Sequence, residues 1–289
     1  MDDRQTYLLN GLLARHFSLG RIVRFRPVQR GRQGEAFELF TAQEKEYLAV
    51  VLPAAYEEAE LSRVAGAVNA LDDQRFSVVP FVQTKAGGFV AEGPQNGRLM
   101  VSLAPEGSAM AAEHYTEHDI SQVGLRLAWM HRLFEEQLPK ANAGDFMEED
   151  VPEGVISAEA RKKLLTLARQ EMRTGWAHGG IRAEALLHDS DHQLRSVVDW
   201  ADLHYGSPLE DVVGAFVFLT SGGDDRGQVL LEAYRTLLPL RGIEWGPIVA
   251  GWCWRTLAKT ARQRAGLPRD VVAVAGDPEA LAKRIEQCL

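Results

Sequence analysis

A switch of hydrophobic period near residue 105 constrains this chain more than any other feature. Before it, short apolar or alternating runs at 21–28, 35–41, 46–52, 76–82, 88–91 and 99–103 read as strands. Two helices interrupt them. One, over 5–17, carries Leu8, Leu9, Leu12, Leu13 and Phe17 on one face, and the other, over 56–71, turns Leu61, Val64, Ala65, Val68 and Leu71 inward. After the turn-rich connector Ala104-Pro105-Glu106-Gly107-Ser108 the spacing becomes helical, over 120–136, 157–174, 209–220, 228–238, 245–265 and 277–289. A sheet-rich first third feeding a helical remainder through one hinge predicts an α+β chain. It has a β-rich region over 1–104 and a mainly helical region over 105–289.

Composition narrows the function classes. Of 289 residues, 32 are basic and 40 acidic, and the net charge of −8 argues against a general nucleic-acid binder, because phosphate contacts need a basic surface. No run approaches the ~20 apolar residues of a membrane span, and Met1–Gln5 lacks the pattern of a signal peptide, so a cytoplasmic protein is expected. The two cysteines, Cys253 and Cys288, have no metal-type spacing and suit a reducing compartment.

The chemistry-bearing stretch is His178-Gly179-Gly180-Ile181-Arg182-Ala183-Glu184-Ala185-Leu186-Leu187, followed by Val197-Val198-Asp199-Trp200. It resembles the catalytic loop of the aminoglycoside phosphotransferase, choline kinase and homoserine kinase type II superfamily. That loop reads H-G-D-L-H-P-x-N-x-L, with a V-I-D-W segment after it. Further likeness lies in 125–134, which ends in Met130-His131, in Tyr205-Gly206-Ser207-Pro208-Leu209-Glu210-Asp211, set against G-D-P-x-x-D-L, and in Leu231-Glu232-Ala233-Tyr234-Arg235. The resemblance implies a bilobal protein-kinase-like fold, with an N-terminal antiparallel sheet lobe and a larger helical lobe carrying a catalytic-loop-like segment over 178–202. It also implies ATP and Mg2+ as cofactors, and a small molecule or nucleotide in the cleft between lobes.

Aligned without a gap, the loop departs from the family where chemistry is done. Gly180 stands at the catalytic Asp position and cannot accept a proton. General-base participation is worth about 10²–10⁴-fold in rate. Ala185 stands at the metal-binding Asn position, which leaves Asp199 as the inherited metal ligand, with Glu184 as a neighbouring candidate. The third strand has no Lys or Arg near Val50 to grip phosphates, Lys45 lying in the preceding turn; Glu57, Glu58 and Glu60 on the next helix read as a solvated face. His178 is expected to brace the loop; Arg182 is open to a site role or an exposed loop charge, and Asp202 to a site role or to capping the turn before Tyr205. His188, His192 and His204 fit no zinc spacing and read as surface or packing residues. Asp189 and Asp191 read as turn formers, and Trp245, Trp252 and Trp254 as core.

The turn Gln29-Arg30-Gly31-Arg32-Gln33-Gly34-Glu35, near Arg21, Arg24 and Arg26, offers Arg30, Gly31 and Gly34 as a nucleotide-phosphate loop; the alternative is a charged outer strand face. The sequence therefore favours a degenerate phosphotransferase-like protein that binds a ligand or nucleotide, its hold on ATP and Mg2+ weakened or lost, with little or no transfer. Two alternatives stay open. One is an active ATP-dependent kinase of an alcohol group with a displaced base; the other is a non-binding scaffold for a protein partner.

Overall fold

The computed structural model describes residues 3–28, 35–141, 146–147, 150–151, 153–170, 172, 174–219, 224–262 and 269–289. The loop carrying Arg30, Gly31, Arg32 and Gly34 lies outside the described residues. The chain forms two compact units, Met1–Gly107 with Arg195–Ala201, and Ser108–Leu194 with Asp202–Leu289.

In the first unit, helix α1 (Asp3–His16) precedes strands β1 (Ile22–Val28), β2 (Glu35–Thr41) and β3 (Glu46–Leu52). Helix α2 (Glu58–Asp73) follows, and β4 (Ala91–Glu92) and β5 (Arg98–Leu103) complete an antiparallel sheet in the order β1-β2-β3-β5-β4. Side chains alternate across a strand, and the core sorts by that rule. Tyr47 and Ala49 of β3 and Leu99 and Val101 of β5 pack with Leu9 and Leu13 of α1. Leu52 and Met100, of opposite parity, pack with Leu61 and Ala65 of α2. The two helices thus cover opposite sheet faces, which is why β3 is a continuous apolar run. Two expected strands differ. Residues 76–82 make only isolated bridges, Val78 to Val197 and Phe81 to Ser102, because Pro80 has no N–H to continue a ladder. Of 88–91, only Ala91 enters the sheet.

In the second unit, α3 (Glu117–Gln137) starts at a capping box. Asp119 N–H donates to the Thr116 hydroxyl, and the Asp119 carboxylate accepts from Thr116 N–H. The other helices are α4 (Ala158–Ala168), α5 (Leu209–Leu219), α6 (Asp224–Arg235), α7 (Trp245–Arg262), α8 (Arg269–Gly276) and α9 (Pro278–Gln287). A core of Leu164, Leu165, Cys253, Trp254, Leu257 and Val271 joins α4, α7 and α8, and Trp245 is also buried. Helix α8 was not expected, and α4 stops at Ala168, short of 174. Short strands β6 (Ser108–Ala109), β7 (Gly175–Ala177), β8 (Leu186–His188) and β10 (His204–Gly206) also punctuate this unit, while β9 (Leu194–Val197) belongs from Arg195 on to the first. They are too short to show a period. The β7–β10 ladder pairs Trp176 with Tyr205 and Ala177 with His204. It holds the 178–185 loop at the end of β7 beside the turn that enters β10. No described helix is long and apolar enough to cross a membrane.

Candidate functional site

The loop between β7 and β8 is suspended from one carboxylate. Asp211, in the first turn of α5, accepts from His178 N–H at 2.7 Å and from Gly179 N–H at 2.9 Å. His131 Nε2 lies 3.0 Å from the same carboxylate, and His131 Nδ1 lies 2.9 Å from the Tyr234 hydroxyl. A carboxylate only accepts, so Nε2 carries the proton. Burial alone would raise the Asp211 pKa. The His131 hydrogen bond, with favourable electrostatics from His131 and His178 and the His178 backbone N–H, outweighs it and holds the carboxyl below its ordinary value. Three separated motifs, 130–131, 205–211 and 231–235, thus meet at one buried hub.

Past the hub the loop turns sharply. His178 is fully buried, and its Nδ1 accepts from Gly180 N–H at 3.1 Å. Gly179 has φ +76°, and a Cβ there would lie 2.4 Å from the backbone oxygen of Asp202, so only glycine fits. Gly180 is different. A Cβ there would meet Asp202 Oδ2 at 3.5 Å and the His178 ring at 3.5 and 3.6 Å, ordinary contacts. A methyl group at Gly180 would therefore meet no clash, with the Asp202 carboxylate in contact beside it.

Asp202 is itself held. Lys259 of α7 pairs with its Oδ2, and the two side chains are 14% and 19% exposed, Lys259 the lower. His204 Nδ1 lies 2.9 Å from the Asp202 backbone oxygen. One turn earlier on α7, Arg255 Nε lies 3.2 Å from the carboxylate of buried Glu210. Sequence reading missed Lys259. The signal was the spacing of Arg255 and Lys259, four residues apart on α7, which places both cations on one face.

Ala185 is fully buried, so its side-chain position offers neither a ligand nor an opening to solvent. Glu184 is 72% exposed and lies 3.5 Å from Arg182 Nε. Asp199, partly buried with φ +69°, belongs to the segment assigned to the first unit. A non-glycine residue in the left-handed region is uncommon and marks a position held by its surroundings. Among the described residues, no group of three or more His, Cys, Asp or Glu is arranged to hold a metal ion.

The histidines beyond the loop have packing and turn partners. His188 is buried edge-on to Tyr115, and desolvation lowers its pKa. His192 Nδ1 lies 3.2 Å from Asp119 Oδ2. Asp189 Oδ1 accepts from the N–H groups of Asp191 and Gln193, closing the turn before β9.

The model of the phosphotransferase enzyme family matches residues 24–243. Among solved structures, an amicoumacin kinase in complex with AMP-PNP and Ca2+ is similar at 14% identity and TM-score 0.72, with 99% of this chain and 94% of that one covered. A microcompartment-associated aminopropanol kinase is similar at 18% identity and TM-score 0.69, covering 98% and 95%. An aminoglycoside phosphotransferase from Alicyclobacillus acidocaldarius is similar at 12% identity and TM-score 0.58, covering 96% and 93%. Comparison with curated proteins finds no match. At these identities the likeness is one of fold, a bilobal kinase-like α+β arrangement with an antiparallel sheet lobe and a mainly helical lobe.

Proposed function

We propose, from the premise that this chain belongs to the phosphotransferase enzyme family, that it binds a small molecule or nucleotide at the 178–185 loop and transfers phosphate slowly or not at all. One observation carries this reading. The loop's backbone support at Asp211 is complete, while Gly180 supplies no side chain and Ala185 is buried without a ligand atom. Phosphoryl transfer relies on positioning and charge neutralisation, so losing those groups removes chemistry without removing the frame.

The residues present fit a nucleotide's divalent cation only in part. Asp199 would hold it, and a bound cation would neutralise phosphate charge. Glu184 is turned to solvent beside Arg182, and β3 carries no cation to grip phosphates. Arg182, and Arg30 with Gly31 and Gly34 on the glycine-rich turn, are the remaining phosphate contacts in this reading. His178 serves as a loop brace, its Nδ1 occupied by Gly180 N–H.

Thermal unfolding with ATP, with and without magnesium, tests the binding half, because a ligand of the native state raises the melting temperature in a saturable way. ATP-dependent phosphorylation of amino alcohols, aminoglycosides and homoserine tests the other half. Binding without turnover supports the proposal. Turnover abolished by Asp199→Ala contradicts it and identifies a working kinase.

A further inference from the structure

We propose that β8 and the turn after it form an acid-released clamp on the loop: a proton taken up by His188 drives its ring from the seat against Tyr115, and β8 parts from β6. The inference concerns how the far end of the loop is held, and it stands apart from the ligand reading above. Asp211 anchors the loop at His178 and Gly179, and the other end runs directly into β8. The β6–β8 ladder there has two pairs, Ser108 with His188 and Ala109 with Leu187.

The seat suits a neutral ring. His188 is 4% exposed, its ring lies edge-on to Tyr115 with centroids 5.3 Å apart, and its Nδ1 has no hydrogen-bond partner among the described residues. An imidazolium donates from both nitrogens, so the charged ring would bury an N–H without an acceptor. Tyr115 does not supply one. Its buried hydroxyl also has no partner among the described residues, and burial, with the charges of Asp119 and Glu184, pushes its pKa up and keeps it neutral. Arg226 of α6 fixes this segment, donating to the Tyr115 carbonyl oxygen at 3.1 Å.

Asp119 of α3 is the acid beside the pair, and its Oδ2 is already engaged. It accepts from Thr116 N–H at 2.8 Å and from the Thr116 hydroxyl at 2.7 Å, and His192 Nδ1 lies 3.2 Å away. The two histidines of the turn therefore differ. A charged His192, its side chain 46% exposed, is met by Asp119, whereas a charged His188 meets no acceptor at Nδ1 among the described residues. Burial acts most strongly on His188 and lowers its pKa. Asp119, the Leu186 backbone and Asp189 oppose that, His192 adds to it, and the net lies below the ordinary 6.5. The open turn then binds the proton better than the closed one. Closure is fully favoured above about pH 6.5 and weakens as pH falls, by up to about tenfold in the closed-to-open ratio per pH unit until the folded pKa is reached.

Hydrogen exchange on the full chain tests this at about pH 7.5 and about pH 5.5, read by mass spectrometry and corrected for the intrinsic effect of pH on exchange. Protection over β6, β8 and the 189–192 turn is expected to fall by about three- to tenfold in acid, while α3 and the backbone of His178 and Gly179 keep theirs. His188→Phe keeps an aromatic ring against Tyr115 and cannot titrate, so its protection should change by less than about twofold. If that variant does not fold, His188→Gln, neutral across the same range, takes its place.

A loss of protection that persists in a folded variant overturns the proposal. So does a wild-type profile that is flat between the two pH values, or a loss spread evenly through α3 and α7, which is global unfolding and not release of one turn. The last two outcomes are read from wild type alone and decide the matter even if neither variant folds; a fall confined to β6, β8 and the turn supports the clamp.

Discussion

Asp202 and Asp211 are nine residues apart and treat one loop in opposite ways. Asp211 is buried and its oxygens are spent on the backbone N–H groups of His178 and Gly179 and on His131. It shapes the loop and is closed to any ligand. Asp202 is partly exposed, pairs with Lys259, and stands where the loop has no side chain of its own. A fold can keep its hub while changing what the hub presents, because the two jobs belong to different carboxylates.

The largest effect that sharpens this contrast is Asp211→Ala. Two backbone donors and an imidazole would lose their buried acceptor, and the expected cost is about 3–5 kcal/mol of stability by chemical denaturation. A cost under about 1 kcal/mol would remove Asp211 from the role of hub. Next comes Gly179→Ala, expected to cost about 2–4 kcal/mol, since a left-handed backbone is combined with a clash against backbone oxygen.

The acid limb follows. The folded pKa of Asp211 is below its unfolded value of about 3.8. Its contribution is therefore fully present above about pH 4 and is lost as pH falls through the folded pKa, at about 1.4 kcal/mol per unit of depression. Asp211→Asn should remove that part of the decline, measured as stability against pH between 5 and 2; an unchanged slope would mean the acid loss arises elsewhere. Smallest is Gly180→Ala. Its Cβ meets only ordinary contacts, so the melting temperature should move by no more than the equivalent of about 0.5 kcal/mol. A large loss there would show that the space beside Gly180 is not open.

Legibility followed the length and regularity of each signal. The alternating and helical periods of β1 to β3, α2, α3 and α7 are long enough to read, and so is the two-sided burial of β3. Strands of two to four residues, such as β7 and β10, carry no period, and they are what hold the loop. Within the loop, that Gly180 and Ala185 carry no basic or ligating group is plain from the sequence itself. The hub could not be built that way, since Asp211, His131 and Tyr234 meet only in three dimensions. Lys259 escaped for the same reason: its meaning lies in Asp202, 57 residues earlier. The positive φ of Asp199 is a property of the folded backbone alone and could not be read from the sequence.

The most direct measurement is the rate at which phosphate passes from ATP to a hydroxyl compound that the purified protein binds. Wild type is predicted to run at least ~10²-fold below the ~1–100 s⁻¹ typical of kinases, the minimum loss of a missing base. A wild-type kcat within that kinase range, abolished by Asp199→Ala, would contradict the account.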